Sequence, residues 1–214
     1  MSEIPEKIEL NNIYNIDAIK GMELLPNESI DMIITDPPYK KEFIYLYEKL
    51  AKEACRILKS GSYCFAYCGA EFLPQTIQMM NKYLDWFWLF EIKHGNQPRL
   101  WYKKLMIACK PVLVFTKGFP KKTEWLCNLQ TDTQDKNFHK WGQGIEFPLR
   151  MIRTLTSEKE IILDPFLGGG TVACAAKYLN RKYIGFELDK ETFIIAKSRI
   201  SEQFNESSKL GDFM

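Results

Sequence analysis

At 214 residues, 46% hydrophobic and 26% charged, the chain has the composition of a folded globular protein with room for one sizeable core, and disorder is excluded. A net charge of +2 specifies no partner by itself, and no stretch approaches the roughly 18 consecutive apolar residues that span a bilayer. The opening MSEIPEKIEL lacks the basic start and apolar run of a secretory signal, so a cytoplasmic protein is expected; six cysteines without a CxxC pair, beside only His94 and His139, favour neither a metal site nor disulfides.

In chain order, a strand is predicted at Ile8 to Tyr14 and a helix at Ala18 to Leu25. The next strand, Asp31 to Thr35, runs directly into Asp36-Pro37-Pro38-Tyr39, an acid, two prolines and an aromatic ring mounted on an apolar support. A long amphipathic helix follows over Lys41 to Leu58, with Gly61 as its expected stop before a strand at Ser62 to Tyr67. A helix at Leu73 to Lys82 leads to strands at Trp86 to Lys93 and Val112 to Phe115.

Charge is uneven here. Residues 93 to 122 carry Lys93, Arg99, Lys103, Lys104, Lys110, Lys117, Lys121 and Lys122 without one Asp or Glu, and interleave them with Trp101, Tyr102, Phe115 and Phe119. Basic residues among aromatics suit a polyanion with exposed bases, so nucleic acid is the expected partner. Residues 117 to 142 are the least regular stretch and read as a long loop or insertion.

A helix at Glu146 to Leu155 precedes the second informative stretch, IILDPFLGGGTVACAAKYLNRKYIGFELD, residues 161 to 189. It reads as strand (Ile161 to Leu163), glycine turn (Gly168, Gly169, Gly170), helix (Thr171 to Leu179), strand (Tyr183 to Phe186) and acid (Glu187), then a last helix, Lys190 to Phe204. A glycine turn at a helix N-terminus, followed one strand later by an acid that suits ribose hydroxyls, is how doubly wound sheets hold nucleoside-containing cofactors. Gly168, Gly170 and Ala173 also satisfy G-x-G-x-x-A, which makes a nicotinamide oxidoreductase a rival. Only 25 residues follow Asp189, however, so the remaining strands must come from the N-terminal part of the chain, with the opening strand beside 183 to 186.

Taken together, DPPY at 36 to 39, DPFLGGGT at 164 to 171 and Glu187 resemble the S-adenosylmethionine-dependent amino-methyltransferases that modify exocyclic nitrogens of DNA bases. The order, tetrad first and cofactor turn last, resembles that of the β group. That resemblance implies a circularly permuted, Rossmann-like class I methyltransferase fold, α/β, with a doubly wound, mostly parallel seven-stranded sheet in a single domain over residues 1 to 214. It implies that Asp36, Pro37, Pro38 and Tyr39 accept the base. It further implies that Asp164, Pro165, Phe166, Gly168, Gly169, Gly170, Thr171 and Glu187 bind the methyl donor, with Asp17 either holding its adenosine or capping a helix. The family's usual H-P-x-x-K-P is replaced by HKWGQGIEFP at 139 to 148, which leaves His139, Trp141 and Gln143 as candidates for the donor's carboxylate. Residues 118 to 144 stand where the family commonly carries target recognition, and the interval is short.

The tetrad also makes physical sense. An exocyclic amine is a poor nucleophile because its lone pair is delocalised into the ring. Asp36 and the Pro37 carbonyl can each accept one amine hydrogen, localising that pair as positive charge develops. The prolines fix φ and hold the acceptors rigidly, while Tyr39 offers a face for a base extruded from the duplex. Aspartate at position 36 favours adenine N6 over cytosine N4, where serine is more usual in the family. A cytosine-N4 enzyme and a catalytically silent nucleic-acid-binding subunit remain the alternatives, with a homodimer also open and a restriction partner undecided.

Overall fold

The computed structural model describes residues 5, 7–93, 99–131 and 144–202. Ten strands are seen there: β1 (Asn12–Tyr14), β2 (Ile30–Thr35), β3 (Leu58–Tyr67), β4 (Asp85–Lys93), β5 (Arg99–Leu100), β6 (Leu105–Met106), β7 (Cys109–Thr116), β8 (Leu129–Thr131), β9 (Ile161–Asp164) and β10 (Lys182–Phe186). Six helices accompany them: α1 (Ala18–Glu23), α2 (Tyr45–Ile57), α3 (Leu73–Met80), α4 (Glu146–Leu155), α5 (Thr171–Tyr178) and α6 (Lys190–Glu202). Among the described residues no helix is long and apolar enough to cross a membrane.

One mixed sheet organises the chain, in the order β1-β10-β9-β2-β3-β7-β4-β8, while β5 and β6 form a separate small hairpin. All neighbouring pairs are parallel except β3 with β7 and β4 with β7, so β7 alone runs against the rest of the sheet. The α/β, doubly wound and mostly parallel architecture is as expected. Eight strands stand where seven were expected; the extra one, β8, is a polar three-residue segment with too little apolar content to be read as a strand in isolation. As the permuted order required, β1 pairs with β10 from the opposite end of the chain.

Helices cover both faces. The buried residues of α2 are Tyr47, Leu50, Ala51, Ala54 and Ile57, a stripe at helical spacing that packs with Met22 of α1, Met80 of α3 and Ile33, Cys64, Leu113 and Phe115 of the sheet. Phe147 and Met151 of α4, Ala173 of α5 and Ala196 of α6 pack on the other face, against Met32, Ile34, Phe65 and Val114. Strands buried on both faces read as near-continuous apolar runs, which is why β2, β3 and β7 were legible.

Gly61 does not stop α2. That helix ends at Ile57 and Leu58 enters β3 at once; Gly61 lies inside the strand at φ +79°, where the register against β2 shifts. A Cβ at Gly61 would come within 2.9 Å of the Phe119 carbonyl oxygen and the Lys121 nitrogen, so the glycine admits a close backbone crossing.

From β2 the chain passes through α2 to β3 on one side, and from β9 through α5 to β10 on the other. The connections diverge between β2 and β9, which pair directly, and the crevice at the carboxyl ends of such a divergent pair is where open α/β sheets bind ligands. At the opposite end Asp31 fixes the alignment: its Oδ2 accepts from Ile161 N–H at 2.9 Å and its Oδ1 from Lys59 Nζ at 2.7 Å. Replacing Asp31 with Ala leaves the N–H that opens β9 unpaired and is expected to cost about 1–3 kcal/mol in urea denaturation. Asp31→Asn, which retains an acceptor, is expected to lose less than half as much.

Candidate active site

The sequence places Asp36 immediately after β2, Asp164 at the end of β9 and Glu187 immediately after β10, so three acids converge on the carboxyl ends of adjacent parallel strands. Thr35 joins the first two. Its buried hydroxyl donates to Asp164 Oδ1 at 2.8 Å and accepts from Phe166 N–H at 3.1 Å, tying the DPPY segment to the turn 131 residues further on.

Burial pushes the Asp164 carboxyl up to about 8, with Asp36 and Glu187 adding like-charge repulsion, against the Thr35 and Phe166 hydrogen bonds that favour its ionised form. The turn beyond it is held from two sides. Glu187 accepts from Gly168 N–H and from Asp189 N–H, each at 2.8 Å. Arg199, buried on α6, donates to the Gly169 carbonyl at 3.0 Å and to Thr171 Oγ1 at 2.9 Å. Gly170 caps α5 at φ +80°, a left-handed conformation that glycine adopts without strain. A Cβ on Gly168 would meet nothing within 4 Å, so the turn's outer side is open.

On the DPPY side, Asp36 Oδ1 accepts from the Tyr39 hydroxyl and Oδ2 from Lys110 Nζ, the latter at 2.9 Å. In the sequence Lys110 reads as one of the basic residues that suit a polyanion. Its side chain is instead only 9% exposed, because β7 runs against its neighbours and brings its second residue to the end of the sheet where β2 and β3 finish. The ammonium lies 4.7 Å from the Tyr39 ring centroid and 4.6 Å from that of Tyr67, within cation–π range of both. Burial lowers the Lys110 pKa, and Asp36 opposes that shift. Tyr67 is fully within the protein, and its hydroxyl oxygen has no hydrogen-bond partner among the described residues; Asp36 and Asp164 both act on it electrostatically. A buried phenol without a partner has hydrogen-bonding capacity left for a ligand.

Asp36, Tyr39, Asp164, Phe166, Gly168 and Glu187 therefore gather at and just beyond the carboxyl ends of β2, β9 and β10. Asp17 lies at the same end of the sheet but caps α1, its Oδ1 accepting from Ile19 N–H and Lys20 N–H, each at 3.1 Å. His139, Trp141 and Gln143 fall outside the described residues. Residues missed by sequence reasoning are Thr35, Tyr67, Lys110 and Arg199. The available signal was a lysine near the start of an otherwise apolar run, CKPVLVFT, where a charge is costly without a partner.

Nor do the basic residues form one face. Lys117 Nζ bonds the Leu58 carbonyl and Glu28, and Lys122 Nζ bonds the Thr156 carbonyl. Exposed charge among aromatics gathers instead on and beside the β5–β6 hairpin, where Arg99 lies over Trp101 and Lys103 over Tyr102, and the Tyr102 hydroxyl bonds Glu71. Among the described residues no cluster of His, Cys, Asp or Glu could hold a metal ion.

Comparisons with known proteins give the family and the fold. The N6/N4 family model described as DNA methylase matches residues 30–198. The orphan methyltransferase M.BamHII of Bacillus amyloliquefaciens is 47% identical, the match covering 80% of this chain and 89% of that protein. Type II methyltransferase M.HpaI of Haemophilus parainfluenzae is 24% identical, over 88% and 74% respectively. Two solved structures share the fold: PvuII DNA methyltransferase (cytosine-N4-specific), with a TM-score of 0.78 at 19% identity over 94% of this chain and 93% of that one, and the M1.HpyAVI–SAM complex, with a TM-score of 0.70 at 22% identity over 88% and 98%.

The raised Asp164 value has a consequence for stability. Between its ordinary value of 3.8 and about 8 the unfolded chain has released a proton that the folded chain keeps, so this group's contribution is complete at acid pH and is lost as pH rises to about 8. Asp164→Asn cannot titrate. Thermal denaturation at about pH 5 and about pH 8 is expected to show the variant gaining on the wild type at the higher pH; parallel changes in both proteins would contradict the assignment.

Proposed function

This chain belongs to the N6/N4 DNA methylase family, and on that premise we propose that it transfers a methyl group from S-adenosylmethionine to the N6 amine of an adenine flipped out of duplex DNA. The observation that carries this reading is the Thr35 bridge, which sets a carboxylate acceptor and a glycine turn side by side at the divergence of the sheet. The donor supplies a methyl group on a sulfonium centre, open to attack by a nitrogen lone pair.

The residues present fit such a donor. Asp164 is suited to an ammonium group, Phe166 to the face of an adenine, and Glu187 to ribose hydroxyls through lone pairs beyond those that hold Gly168 and Asp189. Pro165, Gly169 and Thr171 shape the turn, and Asp17 acts through α1. The orphaned Tyr67 hydroxyl and the open side of Gly168 leave both the polar capacity and the space that a nucleoside donor needs.

On the acceptor side, Asp36 receives one hydrogen of the amine and the Pro37 carbonyl the other, while Pro38 keeps the segment extended. The amine is thereby drawn toward tetrahedral geometry as charge builds on its nitrogen. Tyr39 supplies the stacking face, a contact worth roughly 1–3 kcal/mol that offsets part of the unstacking cost. The hairpin carrying Arg99, Trp101, Tyr102 and Lys103 lies within hydrogen-bonding reach of Glu71, just beyond the end of β3, and suits the DNA backbone and exposed bases. We read the 214 residues as one methyltransferase domain, with 118 to 144 contributing to target choice. Adenine is favoured by aspartate at position 36.

Purified protein incubated with methyl-labelled S-adenosylmethionine and unmethylated duplex DNA, followed by digestion to nucleosides, tests the reaction. Label is expected in N6-methyladenine and is expected to fall at least about 100-fold in Asp36→Ala, since a transition-state acceptor is lost. Label in N4-methylcytosine would correct the base alone. Donor binding with no label in any nucleic acid would refute the proposal.

A further inference from the structure

Lys110 is a buried cation on the acceptor side of the site that the reaction above leaves unused. Its ammonium contacts both the acceptor carboxylate and the ring on which the base is proposed to stack. A structural ion pair is a weak explanation, because burying a lysine against a carboxylate usually returns little net stability once both have been desolvated. The pair has a chemical property that a stabilising contact does not require. It sets a strong acceptor and a strong donor side by side, 2.9 Å apart, at the point where an amine must be received.

Adenine and cytosine present the complementary pattern. In each, the exocyclic amine is bonded to a carbon that also carries a ring nitrogen with a free lone pair, N1 in adenine and N3 in cytosine, so a donor and an acceptor lie next to each other on the Watson–Crick edge. Guanine and thymine show the reverse order, a carbonyl oxygen beside a ring N–H. We propose that Asp36 and Lys110 read this edge as a unit, Asp36 accepting from the amine and Lys110 donating to the neighbouring ring nitrogen, so that Lys110 is a base-recognition residue. The inference rests on the methyl-transfer reading given above.

The exchange of partners is local. Asp36 Oδ1, which takes the Tyr39 hydroxyl, passes to the amine and frees the Tyr39 ring to lie under the base. Lys110, on a stem of four methylenes, moves from the ring faces of Tyr39 and Tyr67 to the edge of the base. An ammonium at the ring nitrogen draws electron density away from the amine and lies near the developing positive charge. Lys110 therefore serves capture and discrimination, and its effect falls on KM and on base choice more than on kcat.

The test pairs a change in the protein with a change in the base. Duplexes carrying the methylated site, identified from the labelled DNA, are prepared with the natural target or with its deaza analogue: 1-deazaadenine, which keeps the amine and replaces N1 by C–H, or 3-deazacytosine if the label lies in cytosine. For the wild type, kcat/KM is expected to fall about 10-fold to 100-fold on the analogue, the range for a lost hydrogen bond to a charged donor. For Lys110→Met the same substitution is expected to change kcat/KM by about threefold or less, and Lys110→Met is expected to raise KM on the natural base. Comparing the two ratios removes the analogue's own amine reactivity. If Lys110→Met methylates too slowly, the comparison is made on equilibrium binding of the two duplexes, where only the wild type is expected to prefer the natural base. Equal discrimination by both proteins would overturn the proposal and leave Lys110 a structural role. A wild type that fails to methylate the natural duplex would instead remove the methyl-transfer premise.

Discussion

Everything about this site depends on one buried hydroxyl. Thr35 closes β2, donates to Asp164 and accepts from Phe166 N–H, so the residue before the DPPY segment is locked to the first residues of the glycine turn. A hydrogen bond buried from water costs far more to break than it contributes when formed, because both partners are then left unsatisfied. The relative placement of acceptor and donor sites is accordingly set by the sheet, with no loop as intermediary.

Charge balance follows from that placement. Bringing Asp36, Asp164 and Glu187 to the ends of neighbouring strands crowds negative charge into a partly dry crevice, and the protein meets it differently at each acid. Glu187 is held by two backbone N–H groups, Asp36 by an ammonium and a phenol, and Asp164 by a hydroxyl and one N–H, with burial pushing it up to about 8. The least compensated acid stands beside the turn proposed to take a cationic donor. The acid with a full-charge partner stands where a neutral amine is proposed to enter. The ends of two neighbouring strands thus offer two electrostatic environments.

Much of this was legible in the sequence because the signals were physical. Strands buried on both faces must be apolar throughout, which exposed β2, β3, β7 and β9; the three glycines marked a turn that no ordinary loop needs; and the shortage of chain after Asp189 forced the first strand to pair with the last. What stayed hidden depended on strand direction and on contacts between distant residues. Lys110 reads as one more lysine in a basic stretch until the reversal of β7 is known, and Thr35 reads as a strand residue until Asp164 is seen opposite it. Gly61 carried the composition of a helix stop, yet its positive φ serves a crossing with residues 119 to 121 that no local pattern encodes.

Two separable halves of one crevice, a donor turn and an amine acceptor, are the core of this account. Calorimetric titration of S-adenosylmethionine into Glu187→Ala and Asp36→Asn, with methyl transfer measured on the same preparations, tests that separation most directly. The account predicts that Glu187→Ala loses donor affinity by at least about 10-fold, whereas Asp36→Asn binds the donor within about threefold of the wild type and yet loses transfer. Loss of donor binding in Asp36→Asn, or undiminished transfer by it, would contradict the division of labour on which the account rests.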